Sequence, residues 1–109
     1  MRTELPVIPT VRANLRAPDV GDATRLAALI ADRTRASILA LLAGGPCCVC
    51  EIAAAIGERE NNVSNHLAKL RAAGLVRPIR HQGDARWVYY ERDEAACATA
   101  LEQVSELLR

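Results

Sequence analysis

The sequence predicts a mainly α-helical domain carrying one β-hairpin, an α+β fold, on three observations. Apolar residues recur at three- and four-residue steps in successive stretches between residues 22 and 108. Two short runs, 76–81 and 86–91, flank Gln82-Gly83-Asp84, where Gly83 is free to take positive φ as a hairpin requires. Half of the residues are hydrophobic but Phe is absent, so the core must be Leu, Ile, Val and Ala, which suits packed helices. A chain of 109 residues is one domain with a modest core.

Taken in order, residues 1–21 contain Pro6, Pro9 and Pro18 without periodicity and are expected to form an extended N-terminal arm. Residues 22–109 form the folded domain. Its first helix spans 22–31, with Ala23, Leu26, Ala27 and Ile30 on one face. A second spans 34–43, with Ile38, Leu39, Leu41 and Leu42 apolar, and Gly44-Gly45-Pro46 breaks it. Cys47-Cys48-Val49-Cys50 follows, then a short helix 51–56 that Gly57 ends.

The next helix, within 59–76, organises the chain. Val63, Leu67 and Leu70 keep one face apolar, while Asn61, Asn62, Ser64, Asn65, His66 and Lys69 supply short polar groups away from it. Gly74 ends the helix and Leu75 is placed to fold back on the last turn. Residues 51–73 therefore read as helix-turn-helix, and the hairpin behind them as a wing. Asn pairs bidentately with adenine, and Lys and Ser reach phosphates or base edges. Arg80, His81 and Arg86 flank the wing tip, within reach of phosphates or the minor groove. Residues 59–86 carry Arg59, Lys69, Arg71, Arg77, Arg80 and Arg86 against Glu60 and Asp84, a local basic surplus in a chain whose net charge is +1. Double-stranded DNA is the partner this pattern fits.

The last helix, 93–108, places Cys97, Leu101, Val104 and Leu108 on one stripe. A terminal amphipathic helix on so small a domain needs a partner, and the first helix offers a second such face. A homodimer through the terminal helices is expected, presenting two recognition helices to adjacent major-groove half-sites. No apolar run has the length of a membrane span, and residues 1–21 lack the pattern of a signal peptide, so a cytoplasmic protein without a membrane partner is expected. In that compartment the four cysteines are thiols, candidates for metal or redox chemistry before disulfides. Cys97, on the apolar stripe, reads as interface packing. Three cysteines within residues 47–50 are hard to explain as packing.

Residues 31–35 with 38–42, the Val63-Ser64-Asn65-His66-Leu67 core, residues 70–76 and the Gly83…Arg86-Trp87-Val88-Tyr89-Tyr90 wing together resemble the ArsR/SmtB family of winged helix-turn-helix metalloregulatory repressors. The resemblance covers roughly residues 22–108. It implies a dimeric transcriptional repressor on an inverted-repeat operator, released when an inducer binds. It also implies base or phosphate contacts from Asn61, Ser64, Asn65 and His66. Arg59 stands where the family has a Ser or Thr helix cap, so it is expected to leave the helix start uncapped or to serve a phosphate.

Cys48-Val49-Cys50-Glu51-Ile52 resembles the corresponding segment of the arsenic- and cadmium-responsive members. The resemblance implies As(III) or Sb(III) as inducer, with Cd(II) or Pb(II) as the alternative and no organic cofactor. As(III) prefers three sulfurs. The arsenic type's third cysteine falls on Ala53 here, which leaves Cys47, Cys48 and Cys50 as the expected metal cluster. The zinc type's terminal-helix site needs a His after Asp93, and none follows. Two further readings stand beside this one. A thiol redox or persulfide-sensing repressor would pair Cys47 with Cys50, or one of them with Cys97. A dithiol oxidoreductase would use Cys47-x-x-Cys50, but that motif belongs to a βαβ unit, and helices are expected on both flanks. No phosphate-binding glycine loop or triad is present, so no enzyme is expected.

Overall fold

The structure is a computed structural model that describes residues 4–8, 14–80, 83 and 87–109. Five α-helices and a three-stranded antiparallel sheet follow in the order α1 (Gly21–Ala31), α2 (Arg33–Leu42), β1 (Cys47–Cys48), α3 (Val49–Ile56), α4 (Glu60–Ala72), β2 (Val76–Arg80), β3 (Val88–Arg92) and α5 (Glu94–Ser105), with a closing 3₁₀ turn Glu106–Leu108. The winged helix-turn-helix expected from the sequence is present. Described residues 4–8 and 14–20 are exposed. Among the described residues, no helix is long and apolar enough to cross a membrane.

The core sits between α2, α3 and α4. Val63, Leu67 and Leu70 of α4 are almost wholly enclosed, against Ile38 and Leu42 of α2 and Ile52 and Ala53 of α3. Each such Val, Leu or Ile side chain contributes about 1.5–3 kcal/mol by leaving water. Gly57, at φ 72°, ends α3, and its N–H reaches Ala53 O. Gly74, at φ 78°, ends α4, and Leu75 N–H then returns to Leu70 O at 3.0 Å. That six-to-one bond closes the helix and buries Leu75 against its last turn.

Caps differ between helices. The Asp32 carboxylate accepts from Arg35 N–H and the Asp93 carboxylate accepts from Ala96 N–H, fixing the starts of α2 and α5. Arg59 precedes α4 and makes no side-chain cap, as the sequence predicts.

The sheet order is β1-β3-β2. Pro78 lies on the edge strand β2, where its missing N–H costs the ladder little. Arg77 faces Glu91 across the ladder at 2.8 Å and also reaches Asp93 at 3.2 Å. Strand β3 begins at Val88 rather than at residue 86, and the expected wing-tip residues His81, Gln82, Asp84 and Arg86 lie outside the described residues. The sequence does not anticipate β1, whose two residues pair with Tyr90 and Tyr89 of β3. A two-residue strand is too short to have a period.

Candidate nucleic-acid interface and thiol corner

Helix α4 separates its two kinds of residue cleanly. Arg59, Asn61, Ser64, Asn65 and Lys69 are exposed, and Arg80 is exposed at the end of β2. Lys69 and Arg71 occupy the last turn, where positive charge complements the helix dipole. Asn62 is half-buried, and its side-chain amide donates to Glu58 at 2.8 Å, tying it to the turn before the helix.

His66 departs from the expected outward row. Its side chain is only 15% exposed, with Nδ1 3.1 Å from an Arg35 guanidinium nitrogen and 3.9 Å from Asp32 Oδ1. The reason is periodicity: position 66 follows Val63 by three and precedes Leu70 by four, so it flanks the buried stripe. Arg71, counted in the basic surplus, was left out of the DNA-contacting residues expected from the sequence. It is exposed and lines a cleft of about 370 Å³ between α4 and the hairpin, with Pro78, Ile79, Arg80, Val88 and Tyr90. Its spacing from Ser64, seven residues on, was the available signal, since that step returns to the same helix face.

The thiols lie where β1 turns into α3. Cys48 is buried and precedes the first residue of α3, which therefore starts two residues earlier than predicted and takes Cys50 into its first turn. A reciprocal capping box closes this start: Cys48 sulfur accepts from Glu51 N–H, and Cys48 N–H donates to Glu51 Oε1 at 3.0 Å. Cys48 Sγ and Cys50 Sγ are 2.8 Å apart. Burial foremost, then the hydrogen bond with Cys50, pushes the Cys48 thiol up to about 11. The same box holds the Glu51 carboxyl below its ordinary value, chiefly through Cys48 N–H. Burial, and then the Glu51 charge, raises Cys47. Tyr89, paired with Cys48 across the sheet, is likewise raised, first by burial and then by Glu51.

The predicted three-thiol cluster is only partly assembled. Consecutive residues of an extended strand leave on opposite faces, and Cys47 Sγ is directed to Gly45 O at 3.7 Å. Among the described residues, no three His, Cys, Asp or Glu side chains are gathered as a metal site. Cys97 lies elsewhere, its thiol 3.7 Å from Leu75 O. It lines a groove of about 320 Å³ with Ile30, Leu39, Ala100, Leu101 and Val104. The Cys47-x-x-Cys50 segment does sit at a strand-to-helix turn, not between helices as expected. Among the described residues both strand pairs are antiparallel, however, and no βαβ unit surrounds it.

Comparison with known proteins agrees with this geometry. Residues 32–77 match the family described as "Bacterial regulatory protein, arsR family". The chain is 42% identical over 62 residues to the arsenic resistance transcriptional regulator ArsR2 of Pseudomonas putida, covering 56% of this chain and 51% of that protein. It thus spans about half of that relative's length. It is 37% identical over 82 residues to the arsenical resistance operon repressor of Escherichia coli, covering 74% of this chain and 68% of that one. A solved structure of a "Possible transcriptional regulator for arsenical resistance" superposes with TM-score 0.63 at 31% identity, over 76% of this chain and 79% of that one. With the helix-turn-helix, the wing and the relatives in agreement, this chain belongs to the ArsR family of bacterial regulatory proteins, a family of transcriptional regulators rather than enzymes.

Proposed function

We propose that the protein is a repressor that sits on an inverted-repeat operator as a homodimer and leaves it when As(III), Sb(III) or another thiophilic ion such as Cd(II) or Pb(II) reaches the thiol corner. The observation that carries this reading is continuity. Two thiols in contact lie at the start of α3, Cys48 as its cap and Cys50 in its first turn, and α3 passes through Gly57 into α4, whose outer face is polar and exposed. In this reading Asn61, Ser64 and Asn65 face base edges, while Arg59, Lys69, Arg71 and Arg80 face phosphates. The relatives named for arsenic resistance support the choice of inducer.

The donor set suits a soft ion, since sulfur is what such ions select. Cys48 and Cys50 would hold it, with Cys47 as third donor once turned from Gly45 O. When bound, the ion supplies bonds to sulfur in place of the thiol protons. Binding as thiolates, Cys48 and Cys50 would give up the hydrogen bond they share, and drawing both sulfurs to one ion would displace the first turn of α3. The pose of α4 on α3 then changes, and operator affinity falls. A coupling of about 1–3 kcal/mol per dimer is the scale for such a switch.

The dimer rests on the unburied stripe of α5 and the 3₁₀ turn after it, where Leu101 is 70% and Leu108 90% exposed. Fluorescence anisotropy of the reduced protein on its own promoter DNA tests the reading. Near-stoichiometric As(III) or Sb(III) should release DNA, and Cys48→Ser and Cys50→Ser should abolish that release. Serine dimers that still respond normally would refute the site.

The 2.8 Å Sγ–Sγ contact favours one second reading, a redox sensor using Cys48 and Cys50 rather than Cys47 with Cys50 or a pair with Cys97. Each thiol would lose one proton and one electron to a peroxide. The sulfurs would then join as a disulfide, and the peroxide would leave as two waters. Release by peroxide or a persulfide donor, reversed by dithiothreitol and absent with As(III), would select it.

A further inference from the structure

The corner between α1 and α2 reaches across to α4 through one side chain. Arg35 Nε donates to Leu29 O, near the end of α1, at 2.6 Å. Its backbone N–H is held by the Asp32 cap at 3.0 Å, so the stem of the side chain starts from a fixed point. Its guanidinium then lies 3.1 Å from Nδ1 of His66. Arginine offers only donors, so in this contact the imidazole accepts at Nδ1. His66 is immediately preceded by Asn65 and Ser64, two exposed residues of the outer face.

We propose that Arg35 is a positioning residue for DNA recognition: through His66 it sets the rotation of α4 about its axis, and so the direction in which Ser64 and Asn65 project. The apolar stripe fixes which face of α4 turns inward, but the contacts of Val63, Leu67 and Leu70 with aliphatic neighbours are themselves non-directional. A directional hydrogen bond between a cation anchored on two sides and a ring nitrogen does not slide. This role rests on the DNA-binding reading above but adds a contact on the inward side of the helix, where no base is touched.

The experiment uses Arg35→Met, which keeps the stem and removes the donors, with His66→Leu and His66→Asn. Asparagine places an acceptor close to the position of Nδ1, whereas leucine has none. The readout is affinity for the promoter fragment divided by affinity for random DNA of the same length. Circular dichroism checks that each variant is folded. Arg35→Met and His66→Leu should each lower the ratio about tenfold, the scale of one lost base contact. The double variant should be no worse than either single one, and His66→Asn should stay near wild type. ¹⁵N spectra of the wild-type imidazole should show an unprotonated Nδ1.

If wild type discriminates and Arg35→Met does not change the ratio, the positioning role is wrong. His66→Asn losing as much as His66→Leu would equally overturn it, because His66 would then act through Nε2. Wild type that fails to discriminate at all would instead sink the DNA-binding reading, and this one with it.

Discussion

Helices α4 and α5 carry apolar stripes of similar spacing and treat them in opposite ways. On α4, Val63, Leu67 and Leu70 are enclosed by the same protomer. On α5, Ala100 is buried, while Leu101 faces outward beside a groove that α1 and α2 share, and Leu108 in the 3₁₀ turn that follows is exposed. Periodicity alone cannot tell these helices apart. What separates them is supply: α4 is surrounded by α2, α3 and β2, whereas among the described residues α5 packs on α1 and leaves its other side open. A satisfied stripe is a matter of folding. An unsatisfied one is the place where a second copy of the chain can add what the first lacks.

The contrast is breakable. Leu67→Ala should cost about 2–5 kcal/mol in urea unfolding, since it opens a cavity in the centre of the core. Leu101→Glu should leave the circular dichroism of the domain intact but raise the dimer dissociation constant about tenfold or more, the equivalent of one buried leucine at a contact. Sedimentation that shows the same oligomer for Leu101→Glu as for wild type would remove α5 from the proposed interface.

Smaller changes sharpen the difference at the helix starts. Asp93 caps α5, whereas Arg59 leaves α4 uncapped. Arg59→Asp should therefore add about 0.5–1 kcal/mol of stability. It should also reduce the salt slope of operator binding by about one or more if Arg59 meets a phosphate. Stability and affinity moving together would argue against that contact.

The smallest effect is chemical. Burial, ahead of every neighbouring charge, raises the Cys97 thiol above its ordinary value. Its iodoacetamide rate should accordingly be slow at pH 8 and keep climbing beyond the usual thiol range. A thiol raised on folding keeps its contribution to stability at lower pH and loses it as pH rises through the folded value. Cys97 should therefore weaken the fold only in alkali. Leu101→Glu should speed the labelling if a second copy covers this groove.

Much of this was legible in the residues, for reasons that differ from element to element. The α4 stripe, the Gly74 stop and the hairpin were readable because each is a local rule with several residues behind it. Strand β1 was not, because two residues cannot display a period and its partner lies some forty positions away. That omission carried the thiols with it. Read as loop, Cys47, Cys48 and Cys50 look equivalent; placed on a strand that becomes a helix, the first diverges from the other two. His66 was misplaced for another reason. A polar side chain at the margin of a helix face is turned by whatever charge waits opposite, and Arg35 is thirty-one residues earlier.

The short strand β1 also has an optical consequence. It joins the sheet to the thiol corner at Cys48 opposite Tyr89, and the chain's one tryptophan, Trp87, stands immediately before β3 and is 49% exposed. An event at the thiols is thus linked through a single pair of backbone strands to an indole in contact with water. The molecule carries its own fluorophore on the wing, and its emission should report what reaches the wing without any dye being attached.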